Sequence, residues 1–330
     1  MVADDESTPL FAWIILGVGI IAVSSAGAVF QEMSEVPPIL RSMWRLCGTS
    51  IILLPGFIYQ YRNFNISNNS IKKFDLQIVL ISSIFLAAHF ATWVWSLDHT
   101  SLVHSLLFVT SNPLIVVIFM PILGTAVRRG HVMGALIGFT GAALTLIDIE
   151  SGGEVTLIGD FAAFLGAVTV VGYMFAGRYL RSTRKFPIFV YAFPVTFLAT
   201  IWLVPITIIL EGSSFTNVLP NMAIFGWTDL AWLPFIVYLS IGPGLLGHTG
   251  INTAFRWISP IVVSTLLLFE PVAGALIGYF LTGEMILGFW TLIGGIMMIA
   301  GAFLVKIEEA AGEFVESDKA EKYRAIGFLN

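Results

Sequence analysis

Leu102 to Leu123 reads LVHSLLFVTSNPLIVVIFMPIL, an apolar run without a single Asp, Glu, Lys or Arg. Its length suits the roughly 20 residues a helix needs to cross the hydrocarbon core of a bilayer, and is about twice the strand of a membrane barrel. Backbone polar groups in hydrocarbon must be satisfied within their own segment or around a closed barrel, so a run this long reads as a helix. The rest of the 330-residue chain has the same character: 57% hydrophobic, 11% charged, mean hydropathy +0.90. A soluble domain carries about 25% charged residues. The fold class is therefore all-α membrane protein.

Working outward with a window of about 19 residues places spans at Phe11 to Phe30, Pro38 to Tyr59, Leu76 to Leu97, Leu102 to Leu123 and Val132 to Ile149. Five more follow at Gly159 to Tyr179, Pro187 to Leu210, Leu230 to Phe255, Pro260 to Leu281 and Met285 to Val305. Spans 3 and 4 abut, as do 8 and 9, so each pair reads as a hairpin turning near Asp98 or Arg256. Asp4, Asp5 and Glu6 stand where a cleaved leader needs basic residues, so Phe11 onward reads as a retained first span.

Loop charge sets the orientation, because Lys and Arg gather on the cytoplasmic side of short loops. One alternate set of loops holds Arg62, Lys72 and Lys73; Arg128 and Arg129; Arg178, Arg181, Arg184 and Lys185; and Arg256. The other set, around Asp98, Glu150 to Glu154, Glu211 to Asp229 and Gly283, holds none. Both termini are expected in the cytoplasm, with the plasma membrane the favoured bilayer and an endomembrane the alternative. The sequons at Asn65 and Asn68 then fall on the cytoplasmic face, where they go unused.

The same composition excludes several classes. A net charge of −5 without a basic block leaves no footprint for nucleic acid. The one cysteine, Cys47, excludes an intrachain disulfide and a multi-cysteine metal site. No phosphate-binding loop supports an ATP-driven pump, and no His-Glu-x-x-His or Gly-x-Ser-x-Gly motif supports an intramembrane enzyme. No cofactor is read from the chain.

The opening run also carries a repeat. A shift of 158 positions lays Pro113 on Pro271 and Leu114 to Leu123 beside Val272 to Leu281, and two positions more lay Gly141, Ala142 and Leu144 on Gly301, Ala302 and Leu304. The chain divides into residues 11–149, residues 158–305 and a charged tail, 306–330. Each unit has five spans, an odd number, so the two lie in opposite senses across the membrane, the inverted repeat of many secondary transporters.

AHFATWVWSLDHTSLVHSLLFVTSNP (Ala88 to Pro113), GDFAAFLGAV from Gly159, WISPIVVSTLLLFEPVAGALIGYFLTGE (Trp257 to Glu284) and IMMIAGAFLV from Ile296 resemble the EamA-type drug/metabolite transporters. The resemblance covers nearly the whole chain in two domains. It implies ten transmembrane helices as two inverted five-helix repeats, cytoplasmic ends and a central cavity between the halves.

Ionisable groups inside a span cost roughly 2.5 to 3.5 kcal/mol on insertion scales, so each needs a reason. Glu270, mid-span and followed by Pro271, either binds and releases a proton or holds a kink by hydrogen bonding. Its repeat partner is Asn112, before Pro113, with Ser105 on the same face; both are expected at the cavity or in interhelical hydrogen bonds. Arg41 is expected to snorkel. Arg45, deeper, matches an arginine that the resembled family often shows in this helix; it holds a substrate acid group in a bidentate grip or pairs with Glu270. Ser82, Phe85, His89, Trp93 and Ser96 share one face of span 3, where an imidazole beside an indole suits an amphipathic or aromatic solute, or His89 serves an interhelical hydrogen bond and Trp93 packing or an interface anchor. In span 8, Gly242, Pro243 and Gly244 are expected to kink or unwind the helix as a gate, or to pack closely. His248, Asn252 and Arg256 continue the stripe from Gly244, with Arg256 an anchor.

The expected function is secondary or facilitative transport of a small organic metabolite, such as an amino acid or related amphipathic solute, by alternating access. A nucleotide-sugar or phosphorylated-metabolite exchanger on the same fold is the alternative, and a solute sensor or intramembrane enzyme is the alternative of another class. The partners expected are that solute and the lipid bilayer, with proton coupling and a homodimer both open.

Overall fold

The computed structural model describes residues 8–66, 71–148, 155–270, 272–273, 277 and 288–325. Asn68, the Glu150 to Glu154 loop, Pro271, Gly283 and the junction of the ninth and tenth spans lie outside the described residues. Among the described residues there are helices and no strand, only one bridge between Ser214 and Ala223. The helices are α1 (Leu10–Ser24), α2 (Ala26–Glu32), α3 (Pro38–Ile66), α4 (Lys73–His99), α5 (Leu102–Val109), α6 (Asn112–Ile122) and α7 (Arg129–Thr145). They continue as α8 (Leu157–Arg178), α9 (Ile188–Glu211), α10 (Leu233–Leu239), a π-helical segment (Ser240–Thr249), α11 (Gly250–Ala254), α12 (Pro260–Leu267) and α13 (Phe289–Ala325).

Among the described residues, six stretches are long and apolar enough to cross a bilayer: Leu10–Glu32, Lys73–His99, His104–Ile122, Leu157–Thr183, Ile188–Glu211 and Phe289–Gly312. The remaining expected spans depart from that standard for local reasons. Arg41 and Arg45 lower the hydropathy of α3, and α7 has only 17 residues. The eighth span is divided around the π-helical segment, and the ninth runs beyond the described residues.

Turns follow the local chemistry. The α4–α5 turn comes at Thr100 and Ser101, just after Asp98, because Ser101 Oγ accepts the His104 N–H at 3.3 Å and starts a new helix. Thr156 does the same for α8 through Gly159 N–H at 3.1 Å. Gly212 ends α9 at φ +69°, the left-handed conformation that favours glycine.

The prolines break two spans in the same way. Without an N–H, and with a ring that crowds the carbonyl four residues back, Pro113 prevents a continuous ladder. Ser111 N–H donates instead to Phe108 O at 3.2 Å, and Ile115 N–H to Ser111 O at 3.3 Å. Before Pro271, Phe269 N–H donates to Leu266 O at 3.1 Å and Ala273 N–H to Phe269 O at 2.9 Å. The 158-residue shift carries the first pair of bonds onto the second. Asn112 and Glu270 therefore stand just beyond equivalent breaks.

A second set of contacts is reciprocal. A Cβ added to Gly134 would lie 2.6 Å from Gly301 O, and one on Gly301 would lie 2.6 Å from Gly134 O. Gly141 and Gly294 approach each other's carbonyls in the same manner. A shift of 160 residues lays Gly134 on Gly294 and Gly141 on Gly301, so each contact is the image of the other. That is the pattern of an antiparallel pair, α7 and α13, on a two-fold axis. The remaining packing obeys the same exchange: α3 lies on α9, and α4 on α8 is matched by α1 on the π-helical segment and α11.

Candidate functional site

Where α1, α4, α6, α8, the π-helical segment, α11 and α12 converge, they enclose a cavity of about 60 Å³. That holds a few water molecules and falls well below the roughly 300 Å³ of a small-molecule pocket. Its polar wall comes from His89, Trp93 and Asn112 on one side of the two-fold relation, and from Tyr173, His248, Asn252 and Glu270 on the other. Val23, Ala26, Met174, Ile251 and Leu267 are among its apolar lining residues.

α4 turns the expected face toward α8. His89 Nδ1 lies 2.9 Å from Gly166 O. A carbonyl only accepts, so Nδ1 carries a proton and the ring is oriented by that bond. Gly166 permits this approach, since a Cβ there would lie 3.1 Å from Trp93 Cβ. The His89 ring stacks with Trp93 at 5.7 Å and 12°, and His248 lies 6.1 Å from it. Ser82, at the other end of the same face, bonds to Tyr191 Oη at 2.8 Å.

Asn252 is oriented by two bonds. Its Nδ2 donates to Tyr173 Oη and to His248 O, both at 2.6 Å, which leaves Oδ1 as the unused acceptor. Asn112 Oδ1 and Trp93 Nε1 are also buried without a partner among the described residues. Buried polar atoms are ordinarily paired, so these three mark the cavity wall as chemically unfinished. The Glu270 carboxyl, half-buried at the cavity, has no hydrogen-bond or ion-pair partner among the described residues.

Arg45 is placed differently. It is 1% exposed, and its Nε and Nη1 have no partner among the described residues. The guanidinium lies 4.1 Å from the centre of the Phe90 ring, a cation–π contact. Phe90 in turn packs on Trp93 at 6.1 Å and His248 at 5.3 Å, so one aromatic side chain joins Arg45 to the cavity wall. No ion pair links Arg45 to Glu270 among the described residues.

One expected placement changes. Arg41 does not snorkel: it is fully buried, paired with Asp98 at 2.5 Å and donating to Met33 O at 3.2 Å and Val36 O at 3.3 Å. The ends of α2 and α4 bring acceptors to it, so it need not reach for water. Ser105 takes the interhelical alternative expected of it, bonding to Ser96 Oγ at 2.7 Å. Gly242, Pro243 and Gly244 lie in a π-helical widening. There Gly244 packs on the Thr49 side chain and Gly247 on Val23, while Arg256 lies over Trp257 at 5.4 Å. Tyr173 was absent from the sequence candidates. Its signal was a hydroxyl in the middle of an apolar span, where a phenol needs a partner.

A model of the EamA-like transporter family matches residues 10–147 and again residues 157–307. A crystal structure matches with a TM-score of 0.71 at 17% identity, covering 91% of this chain and 97% of its own, a likeness of fold alone. A comparison with curated proteins finds no match.

Proposed function

Because the chain belongs to the EamA-like transporter family, we propose that it is a secondary carrier for a small organic metabolite, such as an amino acid or related amphipathic solute. The observation that carries this reading is the cavity at the junction of the two repeats, with unpaired polar atoms converging from both. A solute of metabolite size needs several times the present volume, so binding requires one end of the bundle to part. Alternating access supplies that motion, and the inverted repeat allows each half to adopt the other's conformation. Both termini face the cytoplasm in this reading.

His89, Trp93, His248 and Tyr173 supply flat surfaces for the body of the solute, and Asn112 and Asn252 supply hydrogen bonds. Arg45, with no carboxylate partner among the described residues, is the group for a substrate acid, reached when the Phe90 ring moves. That unpaired guanidinium also favours a second reading, exchange of a phosphorylated metabolite. Glu270 is the proton carrier: an unpaired carboxyl stays neutral in a dry cavity and ionises when water enters.

The test is a solute screen in vesicles containing the purified protein. Unmodified solute should redistribute between compartments, which a sensor or an enzyme does not cause. Glu270→Gln should abolish accumulation driven by a pH gradient and leave counterflow exchange intact. Wild-type accumulation by that variant removes the coupling role.

A further inference from the structure

α3 begins in a way that leaves it uncapped by its own sequence. The first N–H groups of a helix lack partners, and a Ser, Thr, Asp or Asn side chain just before the helix ordinarily supplies one. Here the chain reads Pro37–Pro38. Pro37 has no acceptor side chain and Pro38 no N–H, which leaves the Ile39 and Leu40 amides. Both are satisfied from the other repeat. Glu211, the last residue of α9, accepts from Ile39 N–H at 2.7 Å and Leu40 N–H at 2.9 Å, and Thr207 Oγ1 donates to the same carboxylate at 2.7 Å.

At the opposite end of this helix pair the roles reverse. α9 follows Pro187, which offers no side-chain cap. Its Phe189 N–H donates to Gln60 Oε1 of α3 at 2.8 Å. Each helix is capped by the far end of its repeat partner, and each cap joins one half to the other. Loop charge assigns the Glu211 end to the outside and the Gln60 end to the cytoplasm. Beside Gln60's end, Arg184 grips Asp75 through Nε at 2.8 Å and Nη2 at 2.7 Å, tying α4 to the segment after α8.

We propose that these caps are the latches of the transport cycle: the Glu211 carboxylate on the Ile39 and Leu40 amides holds the outer end shut, and Gln60 on Phe189, with Asp75–Arg184, holds the inner end. The assignment rests on the transport reading above. Parting α3 from α9 at either end breaks only that end's cap, and water can take over the freed amides. A breakable seal that is remade on return is what alternation requires. The two caps differ in strength, because a carboxylate taking two N–H bonds at the positive end of a helix binds more strongly than an amide taking one.

The experiment uses the full chain with Cys47→Ser, and Thr110→Cys in the cavity wall as the reporter. A membrane-impermeant maleimide is added to right-side-out and to inside-out vesicles. Glu211→Ala should raise labelling from the outer side roughly tenfold and lower it from the inner side. Gln60→Ala should raise inner labelling by a smaller factor, about threefold, since Asp75–Arg184 remains. Should Glu211→Ala fold poorly, Pro37→Ser added to it gives α3 a cap of its own; stability should return while the outer end stays open. Unchanged outer labelling in Glu211→Ala, an equal rise on both sides, or outer closure regained with Pro37→Ser each overturns the latch and leaves Glu211 a helix cap. Labelling confined to one side in every variant overturns the latch and the transport reading together. Two-sided labelling with no Glu211 effect overturns the latch alone.

Discussion

Among the helix pairs that join the repeats, α7 with α13 and α3 with α9 each pair a helix with its own repeat counterpart, and the two are built from opposite materials. Between α7 and α13, Gly134 meets Gly301 and Gly141 meets Gly294, backbone against backbone. The polar contacts of that pair gather at one end, where Gly130 N–H donates to Glu308 Oε2 at 3.1 Å and Arg128 Nη1 to Glu308 O at 3.4 Å. Between α3 and α9, larger side chains fill the middle, with Phe57 stacked on Phe193 at 4.7 Å, and both ends are closed by hydrogen-bonded caps. In a bilayer there is little hydrophobic drive between helices, so close van der Waals packing of small residues holds them. Such packing has no substitute partner once parted. A capped amide does have one, water. The first pair is suited to stay together on the two-fold axis, and the second to open.

The comparison breaks most readily at the glycines. Gly301→Ala places a methyl 2.6 Å from Gly134 O and 2.7 Å from Gly138 N, backbone atoms that cannot turn aside. It should cost about 3 kcal/mol, read as a fall in the thermal unfolding midpoint in detergent, with labelling of the folded fraction unchanged on both sides. A variant that folds normally but loses two-sided labelling would reverse the roles of the two pairs.

Next in size is the clasp that ties α3 to its own half. Asp98→Asn removes the charge facing buried Arg41, and should cost about 2 kcal/mol because Asp98 is partly solvated. The double variant Arg41→Met, Asp98→Asn should recover part of that loss in the same unfolding assay. No recovery would mean that the Met33 and Val36 carbonyls, and not Asp98, anchor Arg41.

The smallest effects separate two neighbouring glycines. Gly244→Ala drives a methyl into the Thr49 side chain, 2.9 Å from Cγ2, and should cost about 1 kcal/mol and slow the exchange between labelled states. Gly242→Ala meets nothing nearer than Tyr238 Cζ at 3.8 Å and should change stability by less than about 0.5 kcal/mol. Equal effects of the two on labelling rates would show that backbone freedom, and not contact with α3, matters there.

Much of this organisation was legible before any contact was known. The helical membrane class, the breaks before Asn112 and Glu270, and the small-residue character of α7 and α13 all follow from composition, proline and the 158- to 160-residue repeat. Spacing also put His89 and Trp93 on one face of α4. The rotation of each helix was not legible. Ser105 faces Ser96, Arg41 reaches Asp98, and Tyr173 enters the cavity wall beside Asn252.

The division has one physical reason. In hydrocarbon the backbone groups inside a helix are satisfied within their own segment, so helix and break are local properties that sequence alone determines. Side-chain partners across helices depend on depth and rotation, which only packing decides. Arg41 and Asp98 lie 57 residues apart, and Ile39 and Glu211 172 apart. No local pattern announces that a helix begun by two prolines will borrow its cap from the other repeat, or that Arg45 will be left without an acid. Those facts belong to the tertiary structure.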